Sequence, residues 1–230
     1  MSSYLQKFLA LRCSGDVLNV VNPLGNKAEK EISESMACLR RIKKMVLPFP
    51  MKYTVHDLCA GNALTSVLSA FVLPVKNAIA YDKRDRGRKW FLVKRFKYIF
   101  TNIFDIDPSI FDENSILLGV HACSSLAERI VYLYNNSKAR KLVLMPCCHG
   151  RMNNSVIPPL LQSKVGNYEA WCWHLAKKAN TVRMIEDTKC LSPKNIIVIA
   201  EKKSTTPSFS FRKGLGKTPA WLTRGHLRRS

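Results

Sequence analysis

Three aspartates carry the first chemical signal in this sequence. Asp57 lies near the end of an apolar run, Val55-His56-Asp57-Leu58-Cys59, that breaks into the small-residue turn Ala60-Gly61-Asn62-Ala63. Asp82 closes a second apolar run, 77–81, and stands 21 residues beyond Gly61; Asp105 closes a third. A buried strand that turns at glycine into a helix lets backbone N–H groups approach a ligand, and an acid about 20 residues on can accept both hydroxyls of a ribose. The pattern points to an adenosine-containing cofactor. Gly61 permits the close approach, with Cys59 and Asn62 completing the loop. Asp57 orients that loop or accepts from an amino group, Asp82 takes the ribose, and Asp105 receives the adenine amine.

A second group of reactive types follows two later apolar runs: His121-Ala122-Cys123, then Cys147-Cys148-His149-Gly150. Three chemistries fit. Thiolates and imidazoles bind zinc, but Cys147 and Cys148 are adjacent and are expected to point apart on a strand, and the spacing is not that of a finger; no metal is assigned. Cys147 could attack a pyrimidine ring if its thiolate were stabilised. In the third reading the cysteines pack as a wall while His121 orients or deprotonates an acceptor, since an imidazole titrates near neutrality. A hydrogen-bonded structural histidine is the plain alternative. His121, Cys147 and His149 are the catalytic candidates.

These residues need strands to carry them to one edge. The periodicity predicts a helix over 27–45, with Ile32, Met36, Leu39 and Ile42 as its apolar stripe and Pro48 and Pro50 beyond its end. Strands are expected over 53–58, 78–81, 97–104, 115–122, 141–147, 182–185 and 196–200. Helices are expected over 63–71, 88–97, 126–134 and 169–179. The helix over 88–97 is basic and expected to bury Trp90, Phe91 and Val93. Alternating strands and helices give a parallel sheet covered on both faces, with ligands at the strands' carboxyl ends. The expected division is an N-terminal helical extension over 1–50, a catalytic domain over 51–203, and a basic, loose tail over 204–230.

The chain has 230 residues and a net charge of +21. Eight basic residues against Asp85 alone fall in 83–97, and eight more follow Glu201 with no acid. Clustered charge of this size marks a polyanionic partner, so nucleic acid, most simply RNA, is expected on the basic segment 83–97 and the tail 202–230. Trp221 in the tail is a candidate for stacking on a base. No apolar run reaches the ~20 residues that cross a bilayer, so no membrane partner is expected. Eight scattered cysteines without a CxxC pair suit free thiols in a reducing compartment, the cytoplasm or nucleus, and no organellar targeting is expected. No feature of the sequence assigns an oligomeric state.

The order of strands and acids resembles class I S-adenosylmethionine-dependent methyltransferases over residues 50–203. Three runs carry a narrower resemblance: Gly119-Val120-His121-Ala122-Cys123, Met145-Pro146-Cys147-Cys148-His149-Gly150, and Ser192-Pro193-Lys194-Asn195. They are similar to a methyltransferase-like subgroup that includes the enzyme methylating a ribose 2′-hydroxyl in the tRNA acceptor stem. The resemblance implies an α/β Rossmann-like sheet of seven strands, order 3-2-1-4-5-7-6 with the last antiparallel, and S-adenosylmethionine over strands one and two. It implies cofactor contacts at Asp57, Cys59, Gly61, Asn62, Asp82, Asp105 and His121. Cys59, Ala63 and Ser124 depart from the family pattern, which favours glycine there, and no zinc-finger spacing matches that enzyme's accessory modules. The expected activity is methylation of RNA, at a ribose hydroxyl first and a base atom second. Two other functions remain open: a methyltransferase of protein or small molecules, and an inactive nucleic-acid-binding protein with this fold.

Overall fold

The computed structural model describes residues 3–23, 27–149, 166–180 and 183–202. The chain opens with α1 (Tyr4–Leu9), α2 (Ser14–Val21) and α3 (Ala28–Val46), then alternates. There follow β1 (Thr54–Leu58), α4 (Leu64–Val72), β2 (Asn77–Asp82), β3 (Phe96–Phe100), β4 (Ser115–Val120) and α5 (Ser125–Asn135). The sheet is completed by β5 (Lys141–Met145), α6 (Asn167–Lys178), β6 (Arg183–Glu186) and β7 (Ile196–Glu201). Strand order is 3-2-1-4-5-7-6. The first five strands pair in parallel, and β7 runs antiparallel to both β5 and β6. The expected sheet is therefore the observed one. Because β1, β2, β4 and β5 point the same way, their carboxyl ends share one edge.

Side-chain alternation along the strands divides the core in two. Val55, Ile116, Leu118 and Val143 face α1 to α4, whereas Leu117, Leu142, Leu144 and Val198 face α5 and α6. Gly119 lets α5 press onto β4: a Cβ there would lie 2.5 Å from Ile130 and 2.9 Å from Leu144. α3 is part of this core. It packs on α1, α4 and β5, and a buried network secures it. Arg41 Nη2 and Tyr4 Oη both donate to Asp187 Oδ2 at 2.8 Å, joining α1, α3 and the turn after β6.

The basic helix expected over 88–97 does not form. Trp90–Leu92 is a single 3-10 turn, Gly87 has φ of +56°, and β3 already begins at Phe96. The sequence Phe96-Lys97-Tyr98-Ile99-Phe100 alternates with a strand's period and pairs with Ala78–Asp82, which outweighs any helical preference of the basic residues. Trp90 is buried and stacks on Tyr98, with ring centroids 3.6 Å apart, and Val93 is buried, but Phe91 is 84% exposed. β3 also ends earlier than expected, so Asp105 falls in a separate 3-10 turn, Ile103–Asp105. Among the described residues no helix is long and apolar enough to cross a membrane. Trp221 and nearly all of the tail lie outside the described residues; Lys202 is within them and donates to the carbonyls of Tyr134 and Ser137.

Candidate active site

The β1–α4 loop takes a left-handed backbone at every other residue: φ is +63° at Cys59, +56° at Gly61 and +61° at Ala63. These are the positions where glycine would cost least. The same holds after β4, where φ is +59° at His121 and +49° at Ser124. The chain thus keeps glycine-type turns at both strand ends while carrying side chains on them. Strain of this kind, roughly 1–3 kcal/mol per residue, concentrates at functional sites and persists only where the surroundings hold it.

They do hold it. Asp82, only 6% exposed, accepts from Gly61 N at 2.9 Å through Oδ2 and from Arg84 N at 3.0 Å through Oδ1. Ala60 N donates to the carbonyl of Tyr81 at 3.0 Å, and the single Tyr98 hydroxyl proton is shared between the Gly61 and Arg84 carbonyls, each 3.1 Å from Oη. Asp57 is 2% exposed and accepts from Ser66 Oγ at 2.8 Å, pinning the first turn of α4. Burial pushes its carboxyl up to about 7, because little around it compensates the desolvated charge. Asp57 therefore braces the loop from behind.

A cavity of about 150 Å³ opens between the ends of β1, β2 and β3. Cys59, Asp82, Lys83 and Arg84 form one side; Asn102, Ile103, Phe104 and Leu126 form the other. It is smaller than the ~300–1,000 Å³ of a pocket enclosing a drug-sized ligand, so it suits a nucleobase-sized group. Each carboxylate oxygen can accept twice. Oδ1 also accepts from Arg84 Nε at 3.3 Å, so Asp82 has one acceptor position left, on Oδ2, and a vicinal diol fits once the exposed Arg84 side chain swings away; Ile103, Phe104 and Leu126 offer apolar faces to a flat ring. The buried acid and these walls fit an adenosine-containing cofactor.

Of the sequence-predicted cofactor residues, Cys59 and Asp82 line this cavity. Asp57 and Gly61 shape it from one step behind. Asp105 is exposed and outside the lining, where Asn102 stands instead. Asn62 and His121 face a part of the site that the sequence did not reveal, the N-terminal half of α3. Asn62 Nδ2 reaches both carboxylate oxygens of Glu31 at 3.3 and 3.4 Å, and Arg88 Nη2 reaches Asn62 Oδ1 at 3.4 Å. His121 Nε2 lies 2.5 Å from Glu34 Oε2, off-line for a straight hydrogen bond. Burial pushes the Glu31 carboxyl up despite help from Asn62. The available signal was Ser33 and Ser35 beside Glu34. Ser35 is small and buried and its Oγ accepts from Thr65 Oγ1 at 2.9 Å at the start of α4, while Ser33 Oγ accepts from Leu191 N at 2.7 Å on the turn after β6.

After β5 the strand ends at Met145, so Cys147 and Cys148 lie beyond it and are not bound to point apart. Cys123 Sγ is 2.6 Å from Cys147 Sγ and 3.3 Å from Cys148 Sγ. Burial and these neighbouring thiols push the Cys147 thiol well up. A protonated thiol is a poor nucleophile at neutral pH, which weighs against attack on a ring. His149 is exposed. Gly150 lies outside the described residues.

The chain belongs to the methyltransferase-domain family, whose model matches residues 27–155 and so takes in α3. Solved structures resemble the chain at low identity. The CurJ carbon methyltransferase is 14% identical, with 87% of this chain and 64% of that chain covered and a TM-score of 0.52. Magnesium protoporphyrin IX methyltransferase from Synechocystis PCC 6803, solved with bound SAH, is 11% identical over 84% of this chain and 95% of that one, with a TM-score of 0.49. No curated protein matches the chain.

Proposed function

We propose that this protein transfers a methyl group from S-adenosylmethionine to RNA, with a ribose hydroxyl as the acceptor. The observation that carries the cofactor is Asp82: a buried carboxylate at the end of β2 that fixes Gly61 N and still borders the cavity. When bound, the cofactor supplies an electrophilic sulfonium methyl, so the protein's work is alignment and exclusion of water. Asp82 and the Cys59–Ala63 loop bind and orient. His121, held by Glu34, has its second ring nitrogen to receive the acceptor's proton, and the Glu34 carboxylate stabilises the imidazolium that results.

RNA as the substrate rests on charge and on the resemblance of three short runs to the subgroup that includes the tRNA 2′-O-methylating enzyme. Lys83 and Arg84 line the cavity, and Arg86, Arg88 and Lys89 follow on the same segment, so phosphates would meet basic side chains at the cofactor's door. Such contacts set position and affinity without reading bases. A cytoplasmic or nuclear location accords with the free thiols.

Labelled methyl transfer to total RNA, DNA and protein, followed by nucleoside mass spectrometry, tests the reading. A 2′-O-methylated nucleoside supports it. Label in protein alone overturns it.

A further inference from the structure

Three cysteines from two strand ends meet at one point. Cys123 follows β4, while Cys147 and Cys148 follow β5, and the third Sγ separation, between Cys147 and Cys148, is 3.4 Å. Among the described residues this is the one group of three metal-capable side chains whose ligand atoms all lie within 4.8 Å of one another. The backbone around it is tied down. His121 N donates to the Met145 carbonyl at 2.8 Å, and Tyr168 Oη donates to the Pro146 carbonyl at 3.2 Å while accepting from Ile196 N at 3.1 Å. The two cysteine-bearing segments are thereby locked to each other and to β7.

Neutral thiols give this arrangement little reason to exist. They are weak donors and weak acceptors, and among the described residues their one further hydrogen-bond partner is the His121 carbonyl, at 3.4 Å from Cys123 and 3.5 Å from Cys147. A separation of 2.6 Å between Cys123 and Cys147 is closer than two unbonded sulfurs favour. A cation among them changes the balance, because thiolates are the ligands soft and borderline metals prefer.

We propose that Cys123, Cys147 and Cys148 form a three-thiolate site for a thiophilic metal ion of the zinc class, with its fourth position open. With zinc–sulfur bonds of about 2.3 Å in a tetrahedral arrangement, sulfurs stand about 3.8 Å apart. The separations of 3.3 and 3.4 Å come within about 0.5 Å of that, and the Cys123–Cys147 pair must open by about 1 Å through side-chain rotation. Three S–H protons leave to solvent as three sulfur–metal bonds form. Cys148 is exposed, so an ion has a route in and the fourth position can take water or an incoming ligand. The ion would fasten the segment bearing His121 to the segment after β5.

The test uses the full chain, reduced and stripped of metal, titrated with Zn²⁺ for stoichiometry and with Co²⁺ for its thiolate charge-transfer absorption. One ion per chain is expected, with that absorption lost in Cys123→Ser and in Cys147→Ser and kept in Cys13→Ser, whose thiol lies on the other face at the start of α2. Should a serine variant fail to fold, peptide mapping of the wild-type chain decides: Zn²⁺ must shield Cys123, Cys147 and Cys148 from alkylation and leave Cys13 unshielded. No bound ion, unchanged absorption in both folded variants, equal alkylation with and without Zn²⁺, or a Cys123–Cys147 disulfide that persists in reducing buffer would each overturn the proposal. None of these readouts depends on methyl transfer.

Discussion

Replacing Ser124 by glycine should make the protein more stable. Ser124 has φ of +49° and ψ of −118°, a region open to glycine and costly for an L side chain. It is held there because its carbonyl accepts from Ala127 N and Glu128 N at 3.1 and 3.3 Å, where α5 begins. Its hydroxyl makes no capping bond, so the substitution leaves the cap of α5 intact. Relief of backbone strain is worth roughly 1–3 kcal/mol, and the freer unfolded chain returns roughly 0.4–1 kcal/mol. The net gain is about 1 kcal/mol, which for a chain of this length raises the melting temperature by about 2–4 °C. Urea titration followed by far-UV circular dichroism gives the free energy, and scanning calorimetry gives the temperature. Ala63→Gly is the comparison: it relieves φ of +61° but removes a fully buried methyl worth about 0.8 kcal/mol, so it should change stability little. Ser124→Gly destabilising by about 1 kcal/mol would refute the reasoning, since the conformation would then owe nothing to strain on the side chain.

Further outcomes follow from the buried groups. Asp187→Ala leaves the buried Arg41 without its carboxylate and should cost about 3–5 kcal/mol, read as a lower urea midpoint; a cost below about 1 kcal/mol would mean the network is dispensable. Asp57 binds its proton more tightly in the folded chain, so it lowers stability as pH rises from the unfolded value of about 4 to about 7, and the effect is constant above that. Asp57→Asn should therefore gain on the wild type by about 4 kcal/mol across that window, at about 1.4 kcal/mol per unit; a pH-independent difference would contradict this. His56 works in the opposite sense, because burial lowers its pKa to about 4 and stability is lost as pH falls from 6.5, so comparison with the Asn variant isolates Asp57. His121→Ala should lower kcat by about 10²-fold or more while sparing cofactor affinity, and Glu34→Gln should lower kcat by less with KM unchanged. An unchanged rate in His121→Ala would make that residue structural.

The sheet was legible because its strands are short apolar runs at regular spacing, and because two acids fall where strands one and two end. Asp82 and Gly61 proved to be hydrogen-bonded partners, a link that residue spacing anticipates. The strand over 97–104 was expected, but the basic residues before it read as a helix over 88–97, whereas Trp90–Leu92 makes a 3-10 turn and β3 starts at Phe96. Asp105 was placed by sequence order alone, and an earlier end to β3 moved it out of the cavity. Glu31 and Glu34 fall in the N-terminal half of α3, where a carboxylate also suits the helix dipole. Their contacts with Asn62 and His121 depend on how α3 lies across the loop, and helical periodicity does not encode that. The meeting of Cys123 with Cys147 and Cys148 likewise depends on β4 and β5 being neighbours and on β5 stopping at Met145.

The central claim is that the cavity beside Asp82 binds S-adenosylmethionine. Thermal unfolding with and without S-adenosylhomocysteine, on the wild type and on Asp82→Ala, tests it most directly. A ligand present at 100 times its Kd and bound only by the folded chain adds about 2.7 kcal/mol, or several degrees in melting temperature. That rise is expected in the wild type, and its loss in a folded Asp82→Ala. No rise in the wild type at saturating ligand, or an equal rise in the variant, would contradict it.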